Sequence, residues 1–293
     1  MPPLNTLCRP IKRSRPLQQL GGIVVGLLLA AGHVLAMPMH TPVPGGVAVI
    51  KVGSDTDGAA APAVRFNDIP QPVVRQGHYW FALVGLPLDT AAGRHQVVIG
   101  DGVDAGKEQP LPFEVRPKNY PTQRLRIPDQ RMVQPPPELE ERIVAEQQRI
   151  AAMKRHFSPK VLPDTDFVLP AKGRLSARFG VRRELNGEPR SPHSGLDVAV
   201  GTGQTVRAAS SGTVLAVEDF YFTGGTVVVD HGQGVLTLYA HLSRIDVTPG
   251  QALKKGEPLG ASGVSGRATG PHLHWVVVVG GSSVDPELFL PKR

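Results

Sequence analysis

Five residues in the second half of the chain have side chains that can grip a metal or carry a proton, at spacings that bring them to common faces. "GPHLHWVVVV", Gly270 to Val279, holds His272 and His274 one residue apart at the head of an apolar run. Alternate side chains of a strand share a face, so the two imidazoles point one way and Leu273 and Trp275 the other. "SPHSGLDVAV" sets His193 four residues before Asp197, again one face of an extended chain, with Gly195 between them leaving room for a third body. "LYAHLS" adds His241 on the face of Tyr239 and Thr237. Two imidazoles and one carboxylate, with a fourth position left for water, make a catalytic zinc site with Zn–N distances of about 2.0–2.1 Å. Such a metal lowers the pKa of its water to roughly 7 and polarises a carbonyl. Spare imidazoles then serve as general base and as donors to a developing oxyanion. Three of the five can bind and two can act. The same donor set describes non-haem iron oxygenases, but no cosubstrate site is evident, and ligand type alone leaves manganese or iron open. H-x-H and H-x-x-x-D each occur often as strand or turn decoration, so the weight lies in the joint pattern. His231 reads as a structural hydrogen-bonding residue in a turn, and His78 and His95 as isolated polar residues.

The elements that must position these residues are short strands. The 293 residues include 33 Gly and 29 Pro, which favours turns and strands over long helices. From about 161 to 290, "GTVLAVEDF", "GTVVVDHGQGVLTLYAHL" and "PHLHWVVVV" are the clearest strand sequences, and Asp230-His231-Gly232 reads as a hairpin connection. Residues 41–117 also read as short strands, "GGVAVIKVG", "AVRFN", "HYWFALVGL", "RHQVVIGDG" and "PLPFEVRP", at the spacing of a small Ig-like sandwich with no constellation of titratable groups. Residues 118–160 are proline-rich and then helical, with a helix from about Pro137 to His156. Leu139, Ile143, Ile150 and Met153 recur near helical spacing, acids stand at its start and bases at its end. It is expected to be a packed connector; the sharper alternative is a flap, with 118–160 lying across the groove and keeping the site latent. The fold class is mainly β: sandwich module, connecting helix, and an antiparallel β-sheet domain with a groove.

Residues 1–36 have their own pattern. Arg9, Lys12, Arg13 and Arg15 precede the apolar "LGGIVVGLLLAAGHVL", and Ala36 offers a small residue after it, the order of a secretory signal. Its apolar centre of about a dozen residues is short for a span of about 20, so no membrane association is expected after cleavage, an uncleaved anchor being the alternative. Cys8, the one cysteine, lies in this segment, so the remainder has no disulfide. Four of the 32 Lys and Arg also lie there, with no acid, so residues 37–293 carry 28 bases against 25 acids, a net charge of +3 in place of +7. That mild excess, with no basic run, argues against nucleic acid as a partner and suits loose attraction to an anionic polymer. A monomer is expected.

With these residues in view, "FGVRRELNGEPRSPHSGLDVAVGTGQTVRAASSGTV", "VVVDHGQGVLTLYAHLS", "GVSGRATGPHLHW" and "VDPELFL" resemble, in order from Phe179 to Leu290, the catalytic domain of the lysostaphin/LytM-type zinc metallopeptidases. The resemblance implies that His193, Asp197 and His274 are the zinc ligands and that His241 and His272 are the catalytic histidines. It implies hydrolysis of peptide bridges of bacterial peptidoglycan within an antiparallel, groove-bearing β fold. The alternative is a non-enzymatic peptidoglycan-binding activator of another hydrolase, as in relatives that have lost their ligands; the full set here counts against it. Export without cysteines points to a Gram-negative periplasm, and so to D-alanyl-diaminopimelate bonds rather than glycine bridges. The first module resembles the β-rich modules that precede such domains more loosely.

Overall fold

Glycine and proline punctuation produces twenty strands among the residues that the computed structural model describes, 37–55, 60–100, 108–126, 135–159 and 165–291. The signal-like segment lies outside them. No described helix is long and apolar enough to cross a membrane.

The first seven strands are β1 (Val47–Ser54), β2 (Ala63–Phe66), β3 (Ile69–Pro70), β4 (Val73–Gln76), β5 (Tyr79–Gly85), β6 (Gly93–Gly100) and β7 (Gln109–Val115). They form a three-stranded sheet, β1-β5-β4, and a four-stranded sheet, β3-β2-β6-β7. Ala48, Val73, Trp80, Ala82 and Val84 of the first meet Val64, Phe66, Val97 and Val115 of the second in one apolar core, a sandwich. The opposite face of the first sheet is buried too. Val47, Val74 and Leu83 belong to the core of the C-terminal domain, together with Leu196, Tyr239 and Trp275. This explains the unbroken apolar run "YWFALVGL": a strand covered on both faces has no polar side to alternate with. Close backbone approach joins the halves, because a Cβ on Gly85 would stand 2.2 Å from the Val279 carbonyl oxygen. The Asp285 amide donates to the Gly45 carbonyl, and the Val73 amide to the Gln233 side chain, both at 2.9 Å.

After β8 (Thr122–Leu125) and helix α1 (Glu140–Lys154) come β9 (Arg174–Ala177), β10 (Arg182–Leu185), β11 (Glu188–Arg190), β12 (Leu196–Ala199), β13 (Thr205–Arg207), β14 (Gly212–Phe220) and β15 (Gly224–Gly232). Then follow β16 (Val235–Ile245), β17 (Ala252–Leu253), β18 (Pro258–Ser262), β19 (His272–Val279) and β20 (Ser282–Val284). The main antiparallel sheet runs β17-β14-β15-β16-β19-β12-β9, with β18 bridging β13 and β16 and β20 flanking β19. Along β19, Leu273, Trp275, Val277 and Val279 enter the main core. His272, His274, Val276 and Val278 therefore share the other face.

The apolar end of that second face, Val276 and Val278 with Leu236, Leu238, Val228 and Ala216, is packed against Met153 of α1. Polar ties fix the helix there. Arg149 pairs with Glu218, Glu146 accepts from the Tyr221 amide at 2.7 Å, and the His156 ring lies 3.2 Å from the Asp230 carboxylate. α1 thus has the packing of a connector, with its ties to β14, β15 and the loop between them. β8 pairs in parallel with β10, Thr122 opposite Arg182.

One turn lies elsewhere than the sequence reading put it. β15 continues through Asp230, His231 and Gly232, and the chain reverses at Gln233-Gly234, with φ of 49° and 76°. Positive φ at both central positions is the type I′ requirement, which Gly234 meets at no steric cost. The buried His231 instead donates from Nδ1 to the Ser211 carbonyl at 2.7 Å, and its Nε2 bonds the Thr237 hydroxyl at 2.8 Å.

Candidate metal centre

Strand register brings the first two residues of the centre together. β12 and β19 pair antiparallel, with Asp197 directly opposite His274 and Ala199 opposite His272. His193 lies just before β12 and is held by two backbone bonds, its amide to the Val181 carbonyl at 2.9 Å and its carbonyl from the Gly180 amide at 2.8 Å. The chain bends at Gly195 before β12 begins. A Cβ on Gly195 would stand 2.5 Å from the Trp275 carbonyl oxygen and 2.8 Å from Cε1 of His274. The room expected beside Gly195 is therefore taken by His274 itself.

The three donors meet at one point. His193 Nε2 is 2.9 Å from Asp197 Oδ1, His274 Nδ1 is 2.7 Å from the same oxygen, and the two ring nitrogens are 3.1 Å apart. Among the described residues, His193, Asp197 and His274 are the group of metal-binding side chains so gathered. His193 and Asp197 are buried, while His274 is half-buried. Nδ1 of His193 donates to the Arg178 carbonyl at 2.9 Å, so a neutral ring carries its lone pair at Nε2, toward the other donors. Burial works to raise the Asp197 pKa, but hydrogen bonds from His193 and His274 and their charge outweigh it and hold the carboxyl well below the usual range. Burial pushes the His274 imidazole down, opposed by Asp197. A carboxylate kept ionised beside two imidazoles is a donor set that fits zinc, which binds the ionised carboxylate and the neutral form of each ring.

The remaining two histidines flank the trio. The His272 and His241 ring centroids are 4.6 Å apart, and His241 lies 6.0 Å from His274. His272 Nε2 is 4.0 Å from Asp197 Oδ1. Nδ1 of His272 donates to the Gly270 carbonyl and Nδ1 of His241 to the Ser265 carbonyl, both at 2.8 Å. With Nδ1 carrying the proton, the neutral form of either ring presents Nε2 as an acceptor. Burial, then the neighbouring His272 and His274, push the His241 pKa down to about 4, so this imidazole is neutral near pH 7. His241 adopts φ of 61°, the left-handed region, at the irregular end of the β15–β16 ladder. A non-glycine residue there is strained by an amount on the order of 1–3 kcal/mol, and such residues cluster at functional sites.

Two features near the centre were not foreseen. Arg183 Nη2 lies 3.3 Å from Asp197 Oδ2, on a hairpin whose turn, Asn186-Gly187, has φ of 53° and 86°. The Asn-Gly pair was the available signal for that turn. Tyr120 donates to the Pro44 carbonyl at 2.8 Å, stands edge-on to Phe179, and fills the space a side chain at Gly180 would need. An isolated tyrosine among prolines gives no such indication.

An antiparallel sheet thus gathers two imidazoles and a carboxylate that could hold a metal ion, beside two further histidines. Residues 191–286 match the family model described as peptidase family M23, and residues 40–118 its N-terminal domain. A crystal structure of a putative peptidase M23 from Pseudomonas aeruginosa is 36% identical, covers 87% of this chain and 96% of that one, and superposes with a TM-score of 0.70. The chain belongs to peptidase family M23. It is 38% identical over 120 residues to the peptidoglycan DD-endopeptidase ShyA of Vibrio cholerae, 41% of this chain and 28% of that protein. It is 37% identical over 113 residues to the DD-carboxypeptidase/endopeptidase Mpg of Neisseria meningitidis, 39% of this chain and 26% of that protein. The match thus spans little more than a quarter of those two relatives.

Proposed function

We propose that this protein is a zinc-dependent endopeptidase of the Gram-negative periplasm that hydrolyses the D-alanyl-diaminopimelate cross-bridges of peptidoglycan. The convergence of His193 Nε2, Asp197 Oδ1 and His274 Nδ1 within 3.1 Å of one another carries the reading. Peptidoglycan as substrate is supported by the names of ShyA and Mpg and by the mildly basic character beyond residue 36.

His193, Asp197 and His274 would hold the metal. Bound there, zinc supplies Lewis acidity, making water ionisable near neutral pH and polarising the scissile carbonyl. The chain's own residues do the rest. Arg178 fixes the His193 tautomer through its carbonyl. His241 and His272, each with Nδ1 tied to a backbone oxygen, hold Nε2 ready to take a proton from the attacking water and return it to the leaving nitrogen. Water adds across the C–N bond, leaving a carboxylate on D-alanine and an amine on diaminopimelate.

The test is metal analysis with digestion of purified sacculi. The wild-type protein is expected to hold one zinc and convert cross-linked dimers to monomers by mass spectrometry. His193→Ala and His274→Ala are expected to lose both properties. His272→Ala is expected to keep zinc and slow turnover by about 10²–10⁴-fold. Full hydrolysis by both ligand variants would refute the reading, and shortened glycine bridges would refute the assigned bond.

A further inference from the structure

β16 carries one residue more than its partner strand where it passes the metal centre. Gly225 pairs with Leu242 and Val227 with Tyr239, so Thr226 alone faces both Ala240 and His241. The extra residue makes a bulge, and the left-handed His241 lies in it. The bulge changes the direction of a side chain. Val235 and Tyr239 enter the main core, and Leu236 and Leu238 take the opposite face. Strict alternation would send residue 241 into the core beside Tyr239. Leu242 takes that place. The His241 imidazole is left on the other side, its centroid 4.6 Å from that of His272. The kink in β16 thus delivers His241 to the site.

A non-glycine residue keeps such a conformation only where its surroundings over-determine it. Ser265, in the loop joining β18 and β19, holds His241 from two directions. Its carbonyl accepts from Nδ1 of the His241 ring at 2.8 Å. Its hydroxyl donates to the carbonyl of the next residue, Leu242, at 2.8 Å and accepts from the opposed Gly225 amide at 3.0 Å. A hydroxyl has one proton and two lone pairs, so a single oxygen closes the ladder beside the bulge. The His241 amide is tied separately, to the Thr223 carbonyl at 2.8 Å. Space around that hydroxyl is closed as well. A Cβ on Gly224, at φ of 58°, would stand 2.3 Å from Ser265 Oγ, and one on Gly266, at φ of 68°, 2.4 Å from the Gly224 nitrogen. The two glycines let the β14–β15 and β18–β19 loops meet backbone to backbone around this one oxygen.

We infer that Ser265 is a positioning residue for the proposed reaction: its hydroxyl pins the bulge that turns His241 to the metal centre, and its carbonyl fixes the tautomer that leaves Nε2 free. This rests on the endopeptidase reading and deepens it, by naming what aims one of the two histidines. The hydroxyl bonds Gly225 and Leu242 rather than a metal-binding side chain, so zinc binding is expected to survive its loss.

The experiment compares the zinc-loaded wild-type protein with Ser265→Ala and, as a control, Ser243→Ala. The Ser243 hydroxyl also donates to a backbone carbonyl of this region, that of Ser262 at 2.7 Å, without bridging the bulge. Ring nitrogen chemical shifts of His241 read the tautomer, and hydrolysis of a cross-linked muropeptide dimer reads the function. Wild-type His241 is expected to be protonated at Nδ1 and unprotonated at Nε2 near neutral pH. Ser265→Ala is expected to show both tautomers, to keep its zinc, and to lose about 10–100-fold in kcat with KM unchanged, the scale on which an orienting partner acts. Ser243→Ala is expected to match the wild type in every readout. Wild-type His241 protonated at Nε2, a Ser265→Ala protein with the wild-type tautomer or the wild-type kcat, or an equal loss in Ser243→Ala overturns the inference. If the wild-type protein cleaves no dimer, the endopeptidase reading fails by itself, and the ring shifts decide alone. Mixed tautomers in Ser265→Ala then support the positioning role, and the wild-type tautomer there overturns it.

Discussion

Gly195 shows how one residue governs the centre without offering a donor atom. The missing side chain lets β12 approach β19 until His274 occupies its place. Gly195→Ala puts a methyl against the Trp275 carbonyl and the His274 ring, and one of them must shift. Zinc affinity is expected to fall on the order of 10–100-fold, as when a group orienting a ligand is removed, with little change in the circular dichroism of the sheet. Competition with a chromophoric chelator measures it; wild-type affinity in the variant would refute the packing argument. The common face of His272 and His274 was legible from the two-residue period alone. His193 and Asp197, whose spacing reads as one face of an extended chain, meet instead across the bend at Gly195. That His241 meets His272 was not legible, because the meeting depends on a left-handed residue and a loop carbonyl that no periodicity encodes. Arg183 was hidden for a similar reason: its place depends on a turn of only two residues.

At the scale of elements, the strap that follows the sandwich is fastened by Tyr120. Its hydroxyl donates to Pro44, and its ring packs on Phe179 and Gly180, whose amide supports the His193 carbonyl. Burial, then Asp285, push the Tyr120 pKa well above its ordinary value, so the hydroxyl stays a donor at any physiological pH. Tyr120→Phe leaves the Pro44 carbonyl without this donor and is expected to cost about 1 kcal/mol, read as a lower midpoint in urea; an unchanged midpoint would show that the bond contributes nothing. The helix was legible because its apolar residues recur at helical spacing. Its docking partners were not, since Val276 and Val278 read equally well as members of the main core. The reversal after β15 was placed three residues early, because Asp-His-Gly looks like turn chemistry while Gln233 does not advertise its positive φ.

For the whole molecule, the decisive feature is the three-stranded sheet with a core on either side. A chain starting near Ser158 would remove Val47, Val74 and Leu83 from the interior they share with Trp275. Burying one such side chain contributes about 1.5–3 kcal/mol, so this truncation is expected to melt well below the full protein and to bind a hydrophobic dye. A truncated chain with an unchanged melting temperature would disprove the shared core. The mainly β class and the two strand-rich regions were legible in composition and punctuation. Their common interior was foreshadowed only by the missing alternation in "YWFALVGL", which a strand inside a single sandwich could also show. The inner sheet consequently gives the catalytic half a lining it does not encode for itself. A graft that exchanged the sandwich for a foreign module would strip that lining away, so the two halves must be inherited, and altered, as a matched set.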